Sequence, residues 1–346
     1  MRKLARRRAL QLLGSLLAAP AVLRAQTDVP PAAVRLLLDG PLDGLAAPYL
    51  LAQDQKLLGS ESFSAAIAPG TTARAAIGEV ASGKADACIG DFNRLIRLLD
   101  SNGKDSLRAV AILDDRPAYA IAGRKSRGVS ADPKSLEGKR FAAPEDDASR
   151  VLWPVFRAAQ GIDDSKCVFE TVAPAVREQM LAQGEADAVF GYSHNLAVSL
   201  AARGVPADDI VLISMSSQGF DLYGNALIVS ADMLAGPPEV LRGLVRGVLR
   251  GLKAAAADPA AAIAALAARA EGVNRETELL RLRLKLSECV LTPEVKANGL
   301  GALDSLRFER GLDQLAKAAA FKKRPRPDDV FTAQFLPVLD QDRRID

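Results

Sequence analysis

Histidine is almost missing from this chain: among its 346 residues, His194 stands alone. A serine or cysteine nucleophile activated by histidine would have to use it, and a metal centre built from several histidines is excluded. No GxSxG elbow, GxxxxGKS/T loop or GxGxxG run occurs either, so the usual signatures of hydrolases and of phosphate cradles are absent. Cysteine is scarce as well. Cys88, Cys167 and Cys289 are far apart and form no CxxC pair, so they read as small buried apolar residues and not as a zinc site or disulfide framework. After residue 25, no apolar run reaches the ~20 residues needed to cross a bilayer.

Acidic residues are missing from the first 25 positions, and what stands there instead is informative. Arg2, Lys3, Arg6, Arg7 and Arg8 form a basic head, residues 9–22 a short apolar stretch, and Leu23-Arg24-Ala25 a small-residue exit. That order is a secretory signal over residues 1–25, and Arg6-Arg7-Arg8-Ala9-Leu10-Gln11 also fits a twin-arginine export motif. Its removal takes away six basic residues and no acid. This leaves 39 basic against 42 acidic residues, a net of −3 in place of +3. The basicity therefore belongs to the leader, and nothing in the remainder calls for a nucleic acid or a membrane surface as partner. No cysteine follows the leader to carry a lipid.

The whole chain is 49% hydrophobic and 25% charged, the balance of a soluble globular protein with room for two domains. Strand-like and helix-like segments alternate. Apolar runs at 34–38, 63–67, 85–89 and 107–113 enclose helical patterns at 45–53, 71–80 and 93–99, the second with Ala73, Ala76, Ile77 and Val80 on one face. The rhythm then restarts. Strands are expected at 140–143, 168–172, 186–191 and 210–214. Between them fall a helix capped by Asp147 (Leu152, Val155, Phe156 and Ala159 inward), one over 173–183 (Ala173, Val176 and Met180 inward) and one over 196–202. Such βαβ alternation predicts mainly parallel sheets with helices on both faces.

A short unit occurs twice. Ser82-Gly83-Lys84-Ala85-Asp86-Ala87-Cys88-Ile89-Gly90 matches Gln183-Gly184-Glu185-Ala186-Asp187-Ala188-Val189-Phe190-Gly191 at an offset of 101 residues. So long a period indicates two similar lobes and not a solenoid. The fold class expected is therefore α/β, with two Rossmann-like lobes. Residues 26–117 and 225–321 make lobe 1, 118–224 make lobe 2, and the strands at 118–122 and 226–229 join them as a two-strand hinge. A helix at 238–252, with Leu241, Leu244, Val245, Val248, Leu249 and Leu252 in one stripe, completes lobe 1. The run Lys322-Lys323-Arg324-Pro325-Arg326-Pro327 ends the last helix and opens a C-terminal tail over 322–346.

Three stretches resemble the solute-binding proteins of ABC importers, in the nitrate/sulfonate/taurine and thiamine-precursor group. They are Leu38-Asp39-Gly40-Pro41-Leu42-Asp43-Gly44-Leu45-Ala46-Ala47-Pro48-Tyr49, then Gly138-Lys139-Arg140-Phe141-Ala142-Ala143-Pro144 with Asp147-Ala148-Ser149-Arg150, and Asp221-Leu222-Tyr223-Gly224-Asn225-Ala226-Leu227-Ile228. The resemblance spans about residues 33–321. It implies the type II periplasmic-binding-protein fold, a ligand held between hinged lobes, and a partner permease with its ATPase. At Gly40 this chain has no side chain where many members carry a Trp, which removes a ring-stacking contact. The expected protein is thus a monomeric periplasmic solute receptor without cofactor or metal. An enzyme on the same scaffold, such as a thiamine-pyrimidine-precursor synthase, is the alternative.

Candidate site residues follow from strand ends and helix starts, where parallel sheets bind ligands. Gly70-Thr71-Thr72 and Asp147-Ala148-Ser149-Arg150 precede helices whose free N–H groups suit an anion; plain N-capping is the other role for Thr71, Thr72 and Asp147. Asp39, Asp91 and Tyr192 follow strands, and Tyr192 and Tyr223 offer rings for an apolar face. Loop turns or caps account for the aspartates equally well, and Arg150 fits a surface charge as well as a counter-ion. Pro48, in the first of the resembling stretches, completes the set.

Overall fold

The computed structural model describes residues 32–60, 63–102 and 107–345; the export signal expected over residues 1–25 lies outside them. Strand β1 (Ala32–Leu37), helix α1 (Ala47–Asp54), β2 (Phe63–Ala68), α2 (Ala73–Ala81), β3 (Ala87–Asp91), α3 (Phe92–Asn102) and β4 (Leu107–Ile112) follow one another as the pattern predicts. Next come β5 (Tyr119–Arg124), β6 (Arg140–Ala143), α4 (Ala148–Val151), α5 (Trp153–Gln160), β7 (Val168–Thr171), α6 (Pro174–Gln183), β8 (Ala188–Tyr192), α7 (Ser193–Ala202), β9 (Ile210–Ser214) and β10 (Asn225–Ser230). Among the described residues no helix is long and apolar enough to cross a membrane.

The strands form two five-stranded sheets with the same plan, β2-β1-β3-β10-β4 and β7-β6-β8-β5-β9. In each, one antiparallel strand sits between the third and the outermost: β10 in the first, β5 in the second. The fold is thus α/β with two mixed sheets. The chain passes between the sheets over residues 113–118 and again over 215–224, so β5 and β10 each lie inside a sheet immediately after a crossing. The two passages touch. Gly224 donates its N–H to the Asp114 carbonyl at 2.9 Å, and a Cβ at Gly224 would come within 2.7 Å of the Asp114 Cβ and 2.9 Å of the Arg116 carbonyl. Only glycine permits that approach.

The doubled sequence unit is a doubled structural device. Gly83 and Gly184 turn the chain at φ +75° and +78°, out of α2 and α6. Asp86 and Asp187 then each exchange bonds with an arginine of the central parallel strand, Arg35 of β1 and Arg140 of β6. The Arg35 N–H donates to Asp86 Oδ2 at 2.7 Å and the Arg140 N–H to Asp187 Oδ2 at 3.0 Å. The same local residues fix the same strand register in both halves.

The first sheet carries the larger helical layer, α8 (Ala231–Ala235), α9 (Pro238–Ala257), α10 (Pro259–Ala267), α11 (Arg275–Lys285), α12 (Pro293–Asn298), α13 (Ser305–Ala318) and α14 (Pro327–Val330). All six residues of the expected α9 stripe are fully buried, in a cluster shared with α1, α10 and α11. Each such side chain stabilises by about 1.5–3 kcal/mol against exposure. A second cluster runs from the other face of this sheet to the near face of the second sheet, and a third lies under α6 and α7.

Three local expectations need correcting. The helix after Asp147 is two helices, broken at Leu152, because Pro154 supplies no N–H for an uninterrupted turn and instead begins α5. In α6 Glu178 and Leu181 are buried and Met180 is partly buried against the core as expected, while Ala173 and Val176 are exposed. The helix is rotated by the ion pairs that Arg177 makes with Asp147 and Glu178. Residues beyond Lys322, expected as a tail, fold back. Val330, Phe331 and Phe335 are buried, and the Thr332 N–H bonds the Ala109 carbonyl at 3.0 Å, covering the open edge of β4. Of the cysteines, Cys88 and Cys289 are buried and Cys167 is half-buried, all free.

Candidate functional site

A cleft of about 340 Å³ lies between the sheets at the carboxyl ends of their parallel strands. From the first sheet it takes Leu38, Asp39 and Gly40 after β1, Thr71, Thr72 and Arg74 at the start of α2, Asp91 ending β3, and Asp114 after β4. The second sheet supplies Pro144, Asp146, Asp147 and Ala148 after β6, Arg177 of α6, Tyr192 ending β8, and His194 and Asn195 of α7. Pro117, Ala118 and Gly224 of the crossing segments form its back, with Asn225 and Lys285.

Seven of the expected residues meet here: Asp39, Thr71, Thr72, Asp91, Asp147, Ala148 and Tyr192. Five do not. Gly70 stands just behind the wall, its N–H on the Gly40 carbonyl at 2.9 Å. Pro48 is buried in α1, its carbonyl against Gly251 of α9. Ser149 is fully buried and spends its hydroxyl on the Gly191 carbonyl at 2.8 Å. Arg150 turns away to the Ala143 carbonyl at 2.7 Å and Thr171 Oγ1 at 3.1 Å. Tyr223 lies on the far side of the crossing segments. Its ring is 4.2 Å beneath the Arg307 guanidinium, and its hydroxyl accepts from the Asp304 N–H at 2.9 Å. Helix starts marked Gly70, Ser149 and Arg150, and the resembling stretches Pro48 and Tyr223, but the packing of the chain around the cleft placed them elsewhere.

The helix starts expected to hold an anion are occupied by the chain itself. Thr72 Oγ1 accepts from the Ala75 N–H at 3.1 Å. Asp147 Oδ1 accepts from the N–H groups of Ser149 and Arg150 at 2.9 and 3.3 Å, and its Oδ2 receives Arg177 Nη1 at 2.8 Å. The capping role therefore holds at both positions.

Asp91 is equally well supplied. Its Oδ1 accepts from the N–H groups of Asn93 and Arg94 at 2.8 and 3.0 Å, and Tyr119 donates its hydroxyl to Oδ2 at 2.5 Å. Burial pushes the Asp91 carboxyl up, against the pull of those donors, and drives the Tyr119 hydroxyl well above its ordinary value. Tyr119 stacks on Tyr192 with centroids 6.0 Å apart and planes 23° apart, and Tyr192 lies 6.0 Å from His194. An aromatic wall thus faces the aspartates.

Contacts bridge the cleft mouth. Arg74 Nη1 of α2 lies 3.2 Å from Asp146 Oδ2, and Arg94 Nη2 of α3 donates to the Asp146 carbonyl at 2.8 Å. At the floor Lys285 Nζ meets Asp114 Oδ2 at 3.1 Å, both side chains buried. Burial opposes the lysine's charge, but Asp114, with Tyr49 and Asp39, outweighs it and holds the ammonium above its ordinary range. His194 is 5% exposed. Burial, with the nearby charges of Lys285 and Arg281, brings its imidazole down to about 3, so it is neutral at physiological pH.

Sequence reasoning missed Arg177, Asp114 and Lys285 and left His194 at a rim. Asp114 carried a findable signal, since it follows β4 as Asp39 follows β1. Lys285 carried none: it ends an alternation of basic residues and leucines that reads as a solvated helix face.

Among proteins of known structure, the periplasmic aliphatic sulphonate binding protein of Escherichia coli is similar at 12% identity and a TM-score of 0.68, over 91% of this chain and 97% of that one. The periplasmic nitrate-binding protein of Synechocystis PCC 6803 matches at 13% identity and 0.66, over 88% and 87%. The alkanesulfonate-binding protein of Xanthomonas axonopodis pv. citri, bound to MOPS, matches at 15% and 0.64, over 87% and 98%. At such identities these likenesses speak for the fold: two α/β lobes of the periplasmic-binding-protein kind. No curated protein matches the sequence. A family model described as NMT1/THI5 like matches residues 45–262, well over half of the chain.

Proposed function

We propose, from the premise that this chain belongs to the NMT1/THI5 like family, that it is the periplasmic solute-binding subunit of an ABC-type importer and not an enzyme. Solved proteins of the same fold are named as binding sulphonates or nitrate, two of them explicitly in a periplasm. The observation that carries the reading is the cleft itself. It is lined from two sheets of identical plan, which are connected by two short passages lying side by side.

Such a frame suits capture by closure. Residues 26–117 with 225–321 act as one lobe and 118–224 as the other, bending at 113–118 and 215–224. A solute first held by one wall gains the other when the lobes close, and the closed form is favoured by that difference in contact. Asp39, Thr71, Thr72, Asp91, Asp147, Ala148 and Tyr192 are the contact residues, the tyrosine covering an apolar face. The closed receptor then docks on a permease whose ATPase drives transport. Residues 1–25 direct export, through the twin-arginine route if Arg6-Arg7-Arg8 is read by it, and the mature monomer begins after Ala25.

The cleft chemistry fits holding more than converting. His194, brought down to about 3, is too weak a base to activate a nucleophile, and Asp91 and Asp147 already accept bonds from the chain. The test is a thermal-shift screen of the protein against aliphatic sulfonates, nitrate, carboxylates and nitrogenous ring compounds, followed by mass spectrometry of any stabilising compound after incubation. A raised melting temperature with the compound recovered intact is the expected result. Chemical conversion of the compound would defeat the receptor reading.

A further inference from the structure

At the cleft floor, three buried polar atoms find no hydrogen-bond partner among the described residues: Asp114 Oδ1, His194 Nδ1 and, just behind them, Tyr49 OH. Asp114 and His194 are 6% and 5% exposed and line the cleft. Buried polar atoms are seldom left unpaired, because each one costs about 1–3 kcal/mol. Beside them, Asp39 accepts a hydrogen bond from the neutral Asn225 Nδ2 at 2.6 Å, and the Lys285 ammonium acts on it only through space, without a direct ion pair. The same Asn225 accepts the Asp114 backbone N–H through its carbonyl at 3.0 Å, so it ties the Asp39 side chain and the Asp114 main chain together.

The charges of the cleft point the same way. Its lining carries six aspartates (39, 43, 91, 114, 146 and 147) against four basic residues, Arg74, Arg94, Arg177 and Lys285. Three of those four meet a carboxylate: Arg74 that of Asp146, Arg177 those of Asp147 and Glu178, and Lys285 that of Asp114; Arg94 donates to the Asp146 main-chain carbonyl. An incoming anion would meet an excess of carboxylates, and among the basic residues of the lining only Arg94 is without a carboxylate partner. A group that donates N–H bonds and carries positive charge would meet Asp39 and Asp114 Oδ1.

Resting on the receptor reading above, we propose that this floor selects a solute with a cationic nitrogen group, ammonium or amidinium, donating to Asp114 Oδ1 and Asp39, and that the cleft discriminates against sulfonates and nitrate. Charge-assisted bonds of this kind are the strong ones, and the low dielectric of the floor strengthens them. Lys285 neutralises one aspartate, so the solute's single charge answers Asp39. Discrimination then comes from repulsion of the wrong sign as much as from attraction of the right one.

The experiment is isothermal titration of the purified protein with matched probes: butylammonium and benzamidinium against butanesulfonate and nitrate. The cationic probes are expected to bind and the anions not. Asp39→Asn keeps the Asn225 contact and should weaken cation binding roughly ten- to hundredfold. Asp114→Asn should do the same. Should that variant fail to fold, for want of a partner for Lys285, Asp39→Asn alone decides, with circular dichroism confirming its fold. Binding of butanesulfonate or nitrate with the cations silent would overturn the selectivity and leave the receptor standing. So would cation binding that Asp39→Asn leaves unchanged. A wild type that binds neither series, and that no compound of the wider screen stabilises, would overturn both.

Discussion

At the scale of single residues, the cleft shows how a side chain's worth depends on which way it turns. Asp147 and Ser149 are two residues apart in sequence. One caps α4 and pairs with Arg177; the other is sealed beneath the wall on the Gly191 carbonyl. His194 gives a clean readout because the chain has no other histidine. Its folded imidazole stays neutral down to about 3, while in the unfolded chain it protonates near 6.5. The sign follows. The unfolded state binds the extra proton, so this contribution is complete above pH 6.5 and is lost as pH falls towards 3. Urea unfolding at pH 7 and pH 5.5 should show a loss of roughly 1 kcal/mol from this residue. His194→Gln should lose that much less over the same interval, and an equal loss in both proteins would show that the imidazole is not held neutral.

At the scale of elements, pairs of segments decide geometry. The Gly83 and Gly184 turns launch β3 and β8 alike, which explains why a nine-residue unit recurs 101 positions on. The passages at 113–118 and 215–224 are less forgiving, because Gly224 packs directly on Asp114 and Arg116. Gly224→Ala should cost about 1–3 kcal/mol by overpacking this contact. Gly40→Ala, whose Cβ would meet nothing within 4 Å, is the control. Thermal unfolding of both variants checks this: equal midpoints would mean that the crossing segments give way without strain.

At the scale of the whole molecule, the question is whether the two lobes move. The Arg74–Asp146 pair across the mouth is largely exposed, so by itself it holds little. Arg74→Ala should change unfolding free energy by less than about 1 kcal/mol. Closure should come from the solute. Small-angle scattering is expected to give a smaller radius of gyration in the presence of a compound that raises the melting temperature, in wild type and in Arg74→Ala. An unchanged radius in wild type would rule out hinge closure as the mode of capture.

Sequence by itself determined the order of strands and helices, the doubled Gly-Asp unit, the buried α9 stripe and the strand-end positions of Asp39, Asp91 and Tyr192. These are local matters: apolar spacing, caps and turn glycines act within a few residues. It also carried the resemblance to solute receptors. Only the tertiary structure decided which of those residues face one another. It turned Tyr223 and Arg150 away, rotated α6 around the Arg177 pairs, folded residues 327–332 onto β4, and brought Lys285 from α11 beneath Asp114. That pairing joins positions 171 residues apart, and no spacing rule reaches so far. The burial that leaves Asp114 Oδ1 and His194 Nδ1 without a partner among the described residues is created only when the lobes and the returning helices pack together.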